Sequence, residues 1–208
     1  MTMLHSPIAP RASRAEERRR HLIEVARKLF TENGFHSTGV AQIAAASGIR
    51  VGQIYRDFSA KEDIVAAIVE SDLARFLDEE GLAAALAARD ADAIRDWIDR
   101  FVAFAAPDEK CRLGAEISAE AARNERIAAI QRDVDAKLSR MLGAAFEALA
   151  PGAARADRRR GLVSLILALG KGAMYRRLLI CDGEMAALTA RMGAVIDHEF
   201  AGLLAAEA

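Results

Sequence analysis

With 208 residues, 29 Lys and Arg against 30 Asp and Glu, and a formal net charge of −1, the chain is sized for one domain or two small ones. Its total charge gives no hint of a nucleic-acid partner. Of its 52% hydrophobic residues 46 positions are alanine, aromatics reach only 5%, and the four prolines stand at 7, 10, 107 and 151, a composition that favours helix and argues against a β-sandwich, a barrel or a disordered chain.

In chain order, residues 1–12 read as a flexible N-terminal arm. Met1 to Pro10 has no basic patch followed by an apolar run, so no secretory signal is expected. No apolar stretch approaches the length of a membrane span. Cys111 and Cys181 are expected to be free thiols in a cytoplasmic protein. From Arg14 to Asn33, Leu22, Ala26, Leu29 and Phe30 repeat at helical spacing. Ser13 and Glu16 resemble a capping box before them, and Gly34 marks the end. A short helix follows over Val40 to Ser47, closed by Gly48, and a second runs from about Val51 to Phe58. Lys61 opens a longer amphipathic pattern through Ile64, Ile68, Leu73, Phe76 and Leu77.

Gly81 to Ala88 is Ala-rich and reads as either a helix end or a loop. Asp90 or Asp92 opens a helix carrying Ile94, Trp97, Ile98, Phe101 and Phe104, closed by Pro107. Two helices are expected over Asp108 to Ala122 and Glu125 to Ala150, then a Pro151-Gly152 turn. Two more cover about Ala156 to Ile180 and Gly183 to Leu204. The expected fold is all-α with about nine helices. The chain is expected to divide into a three-helix unit over residues 13–60 and a larger helical unit over residues 61–208.

The first three helices form a helix-turn-helix pattern, in which a short second helix can enter the major groove only if the first packs steeply across it. Ala44, Ala45 and Ala46 supply small side chains for that crossing, and Gly48 a sharp turn. The helix from Val51 places Ile54 and Phe58 inward and offers Gln53, Tyr55 and Arg56 outward. Gly52 permits close approach of the backbone to a duplex. Gln suits adenine, Arg suits guanine or phosphate, and a tyrosine hydroxyl commonly reaches phosphate. Charge then becomes informative: residues 1–62 carry ten basic and six acidic residues, net +4, against −5 for the remainder. A basic head on an acidic body is the footprint of a DNA-binding domain joined to something else. Arg11, Arg14, Arg18, Arg19 and Arg20 lead that head, as phosphate contacts or as a solvated Arg/Glu face.

The stretches from Gly34-Phe35 through Val40-Ala41-Gln42-Ile43-Ala44, then Ser47-Gly48-Ile49, Gly52-Gln53-Ile54-Tyr55-Arg56-Asp57-Phe58 and Lys61-Glu62, resemble the N-terminal domain of the tetracycline-repressor (TetR) family. The resemblance covers about 50 residues. It implies phosphate contacts from Tyr55 and Lys61, base readout by Gln53 with Arg50 or Arg56, and Ser37 or Thr38 amides against a phosphate at the start of the second helix. Two departures stand out. Arg50 replaces a capping Ser or Thr, and Gly39 replaces a common Thr, so the contact made there shifts to Thr38 or is lost.

The same resemblance implies a C-terminal domain that binds a small effector and dimerises. Leu162, Leu165, Ile166 and Leu169 on one helix, and Leu188, Met192, Val195, Ile196, Phe200 and Leu203 on the last, are the expected interface of a homodimer reading a palindromic operator. Trp97, Phe101, Phe104, Cys111, Ile117, Met141, Phe146, Met174 and Tyr175 are candidate pocket residues, and Glu116 and Glu120 lie four apart, so that one of them could face inward and favour a cationic ligand. The expected activity is that of a repressor released from double-stranded operator DNA by a small molecule. The alternative is a regulator without a small ligand, an activator or one answering to a protein partner. No metal, cofactor or catalytic chemistry is expected: His5, His21, His36 and His198 sit apart, with no Glu-x-x-His pair, Gly-rich phosphate loop or nucleophile elbow.

Overall fold

A computed structural model of the chain describes residues 14–205. The arm, including Arg11, and the Ser13 half of the expected capping box lie outside these residues. The described residues form ten α-helices and one 3₁₀ turn, without strands. They are α1 (Arg14–Asn33), α2 (Val40–Ser47), α3 (Val51–Asp57), α4 (Lys61–Leu77) and α5 (Glu79–Ala88), followed by α6 (Ala91–Val102), α7 (Asp108–Ala121), α8 (Glu125–Leu149), α9 (Ala156–Arg177) and α10 (Asp182–Ala205). The helix beyond the expected nine is α5. Asp78 adopts φ 43 and its Oδ1 accepts the Gly81 amide at 3.1 Å, capping a segment that Ala and Gly alone leave ambiguous. A Cβ on Gly81 would fall 2.3 Å from Asp78 Oδ2, so this cap needs glycine there.

The chain divides into two compact units, one ending at Ile68 and the other beginning at Val69. That boundary lies inside α4, not before it as expected, because Ile64, Val65, Ala67 and Ile68 at the start of α4 are buried with the N-terminal unit.

In the N-terminal unit the buried residues Leu22, Ile23, Ala26 and Phe30 form the inner stripe of α1. Phe35 packs its ring 5.4 Å from that of Phe30, while Ile43, Ile54 and Phe58 supply one or two anchors from each short segment. Of the three alanines expected at the α2 crossing, Ala44 is half-buried and Ala45 and Ala46 are exposed. The tight turn itself rests on Gly48, whose φ of 69 lies in the left-handed region open to glycine.

In the C-terminal unit α6 presents Ile94, Trp97, Ile98 and Phe101 along one buried face. They join Leu142, Ala145 and Phe146 of α8, Leu162, Val163 and Ile166 of α9, and Ile196, Phe200 and Leu203 of α10 in one core. Asp90 caps α6 through the Ala93 amide at 3.0 Å, and Asn124 caps α8 through the Arg126 and Ile127 amides. Arg159 is a buried cation with a structural task. Its Nη1 donates to the Ala150 and Gly152 carbonyls at 2.7 and 2.9 Å, and its Nη2 pairs with Glu147, closing the C-terminal end of α8.

This packing changes the expected dimer surface. Leu162, Ile166, Met192, Ile196, Phe200 and Leu203 are buried within a single chain, and Leu165, Leu169 and Leu188 are half-buried against the same clusters. The near-heptad stripe on α10 faces its own core, since α9 and α10 pack against one another. Of the expected set Val195 is exposed, at 40%. The other exposed apolar side chains on or beside these helices are Tyr175, Leu179 and Leu204.

Candidate functional site

The N-terminal unit holds α3 with one side inward and the other free. Ile54 is buried, whereas Val51, Gly52, Tyr55 and Arg56 are exposed and Gln53 is half-buried. Arg50 begins the helix with extended backbone and makes no side-chain cap, which leaves its exposed guanidinium outside the helix's own hydrogen bonding. Asp57, the last residue of α3, holds the side chains of Arg18 and Gln53. Arg18 Nε lies 3.4 Å from Asp57 Oδ2, Gln53 Nε2 donates to the same carboxylate at 3.4 to 3.5 Å, and Arg56 Nη2 donates to Gln53 Oε1. The Gln53 amide is therefore oriented from both ends before any ligand arrives, and Arg56 keeps further N–H donors pointing outward.

Three contacts lock α1 onto this platform. His21 Nε2 lies 3.2 Å from the Ser47 carbonyl, the Arg19 guanidinium sits 4.7 Å above the Phe58 ring, and the Arg18–Asp57 pair completes the set. Arg18 and Arg19 are thus partly spent inside the unit. Arg14 and Arg20 stand exposed on α1.

Two expected phosphate contacts turn out differently. Thr38 is 1% exposed, and its hydroxyl donates to the Leu29 and Gly34 carbonyls, so the side chain ties the α1–α2 turn together. Its amide faces the Phe35 carbonyl at 3.4 Å. Lys61 is half-buried. Its Nζ donates to the Phe35 carbonyl at 2.7 Å and the Thr38 carbonyl at 3.1 Å, and stands 3.9 Å above the Phe35 ring. The TetR resemblance implies phosphate contacts for both; in the structure loop carbonyls hold their side chains. Ser37 remains exposed. Gly39 starts α2, and its amide donates to Gln42 Oε1 at 2.7 Å, so a side chain three residues on satisfies the helix start that lacks the family's Thr.

The C-terminal unit contains a cavity of about 270 Å³ among α4, α6, α7, α8 and α9. Of the expected pocket residues, Phe101, Phe104, Cys111 and Met174 line it. The others do not. Trp97 is core, donating its indole N–H to the Leu77 carbonyl and stacking on Phe101 with ring centres 5.7 Å apart. Phe146 is wholly buried against Phe200 at 5.4 Å. Ile117 is buried outside the cavity lining, Met141 packs half-buried on the main core, and Tyr175 and Glu116 face solvent. Neither Glu116 nor Glu120 lines the cavity, so the expectation of a cationic ligand loses its anchor. Glu120 is buried and held by Arg123 at 2.7 to 2.8 Å.

Sequence reasoning missed the polar lining: Lys110, Gln131, Asp135, Lys171 and Arg177. A charged residue on a helix surface carries no sign of which space it borders, so spacing alone offered no handle. Two glycines shape the walls. A Cβ on Gly114 would stand 2.4 Å from Met174 Sδ, and one on Gly170 would stand 3.1 Å from Phe104 Cε1. Phe104 itself holds φ 49 in the link between α6 and α7. The Cys111 thiol is pushed up by burial in this apolar setting and further by the Asp108 carboxylate, with Arg177 opposing. Arg177 is raised chiefly by its hydrogen bond to Asp108 at 2.9 Å.

Residues 22–68 match the family of bacterial regulatory proteins described as the tetR family. The match lies within the N-terminal domain. The chain is 41% identical over 56 residues to the HTH-type transcriptional regulator AcrR of Shigella flexneri, covering 27% of this chain and 26% of that protein. Over 50 residues it is 44% identical to the regulator HbdR of Aromatoleum sp. (strain CIB), covering 24% of this chain and 22% of that protein. The chain thus spans about a quarter of the length of these curated relatives. In overall fold it is similar to Salmonella enterica GusR, with a TM-score of 0.69 at 22% identity over 95% of this chain and 100% of that one. The protein in the SmeT–triclosan complex gives a TM-score of 0.68 at 20% identity over 89% and 91%. Among the described residues no helix is long and apolar enough to cross a membrane.

Proposed function

We propose that the protein is a cytoplasmic, homodimeric transcriptional repressor that leaves a palindromic operator when a small molecule fills its C-terminal cavity. The observation that carries this reading is α3: a TetR-family reading helix anchored by Ile54, with Val51, Gly52, Tyr55 and Arg56 exposed. Arg56, oriented by Gln53, supplies base readout; Arg50, Tyr55 and the Ser37 end of α2 supply phosphate contacts. Lys61 and Thr38 serve DNA binding indirectly, by fixing the loop before α2. Two copies are joined through the outer faces of α9 and α10 and the link between them, where Val195, Leu204 and Leu179 are exposed. Pairing two reading heads suits a two-fold operator and doubles the contacts.

The cavity supports control by a ligand over the alternative without one, because a purely structural body would have no reason to keep an apolar hole next to open solvent. Solved relatives carry small molecules: one neighbour is a complex with triclosan and another, from Saccharomonospora viridis, a complex with choline. The coupling is a two-state equilibrium biased by differential affinity for the ligand. Its test is a pair of titrations on DNA from the protein's own upstream region. A compound that raises the melting temperature of the C-terminal unit should weaken operator binding by roughly 5- to 150-fold. A ligand that binds and leaves operator affinity unchanged overturns the control by effector.

A further inference from the structure

The cavity has walls and a rim of different character. Its walls are apolar: Phe76, Phe101, Phe104, Leu138, Ile166 and Met174. Its charged groups are three cations, Lys110, Lys171 and Arg177, against one carboxylate, Asp135. Two of the cations already have answers outside the lining. Arg177 pairs with Asp108 at 2.9 Å and Asp182 at 3.2 Å, and Lys110 lies 3.9 Å from Asp72. Lys171 differs: among the described residues no acceptor pairs with its ammonium. It also borders an open groove of about 400 Å³ that shares Gln131 and Asp135 with the cavity, so it stands where the apolar hole meets solvent.

On the reading that this cavity is the effector site, we infer that the effector is a small apolar molecule with one acidic head group, the head at Lys171 and the body among the aromatic and aliphatic walls. A volume of about 270 Å³ lies at the small end for ligand sites, room for one or two rings or a short chain. An acidic head gains a charge-assisted hydrogen bond from Lys171, whose ammonium has no acceptor among the described residues. A cationic head would have Asp135 alone to meet it, against three positive groups. A neutral molecule would fill the walls and leave the head position unused. Asp135 sits at the rim as a repulsive element, lowering affinity for an acid that binds in the groove alone.

The test uses the full chain and a matched series: 2-naphthylacetate, its neutral amide and 2-(2-naphthyl)ethylammonium. Each competes against the neutral fluorescent probe N-phenyl-1-naphthylamine. The acid is expected to displace the probe at a concentration at least tenfold below the amide, with the ammonium weakest. Lys171→Met should erase the gap between acid and amide while leaving probe binding intact, and Lys171→Arg should keep it. Asp135→Asn should strengthen acid binding further. Probe binding with no preference for the acid, a preference for the ammonium, or a gap that survives Lys171→Met overturns the ligand class and leaves the effector site standing. An absence of saturable probe binding overturns the effector site itself, and the ligand class with it.

Discussion

Replacing Lys61 by Met separates two roles that place the same side chain beside the reading head. The substitution keeps the length and apolar stem and removes the ammonium. In the structure that ammonium donates at 2.7 Å to the Phe35 carbonyl and at 3.1 Å to the Thr38 carbonyl, 3.9 Å above the Phe35 ring. Hydrogen bonds from a charged donor contribute roughly 1.5–3 kcal/mol each when shielded, and an exposed cation–π contact about 0.5–1 kcal/mol. Lys61 is half-buried and the Phe35 carbonyl keeps the Thr38 amide at 3.4 Å, so the net loss is nearer 2 kcal/mol than the sum. The assay is amide hydrogen exchange of the full chain, read over α1 to α3. A loss of about 2 kcal/mol accelerates exchange there by roughly 30-fold, with no change in the C-terminal unit. The slope of log affinity against log salt should stay as in the parent protein. The reasoning is refuted if exchange moves less than twofold while the slope falls by about 0.9, the signature of one lost phosphate contact.

Three further outcomes follow from the packing and charges. Phe146→Ala empties a fully buried site against Phe200 and should cost about 3–5 kcal/mol, followed by fluorescence of Trp97 in the same core; a loss under about 1 kcal/mol would mean the site collapses freely. Arg56→Ala should weaken operator binding by about 1–3 kcal/mol and leave binding to shuffled DNA nearly unchanged, whereas equal losses on both would make it a phosphate contact. Cys111 has its thiol raised by burial, so its contribution to stability is complete below the ordinary thiol value and declines as pH rises through the folded value. At pH 8 iodoacetamide should label the exposed Cys181 well before Cys111, and chemical denaturation of Cys111→Ala should lose part of the stability decline above pH 9; equal labelling would contradict the burial.

Most helix positions could be read from the sequence because their causes are local. The α6 stripe, the Gly48 turn and the Asp90 cap each act within a few residues of themselves. The exposed face of α3 was legible for the same reason: Ile54 inward fixes Tyr55 and Arg56 outward on a helix of seven residues. What sequence could not carry was competition between partners. Lys61 and Thr38 are polar residues beside the helix-turn-helix segments, and only the folded loop places carbonyls within their reach. The α10 stripe at near-heptad spacing has two solutions, a partner chain or α8 and α9 of its own chain. The second is taken by Met192, Ile196 and Phe200, which leaves Val195 outward. The cavity divided the expected residues in the same way, because a large apolar side chain fills a core and lines a hole with equal ease. Gly114 and Gly170 hold part of the difference, as the space they leave seats Met174 and Phe104 at the cavity wall.

The claim on which the rest depends is that the N-terminal unit reads DNA by sequence. It is tested by the affinity of the full chain for fragments of its own upstream region and for a shuffled fragment, from 50 to 300 mM salt. The account predicts a preferred site bound on the order of a thousandfold or more tighter than shuffled DNA, with log affinity falling linearly in log salt at about −0.9 per phosphate contacted. Equal affinity for every fragment, or binding indifferent to salt, would contradict it.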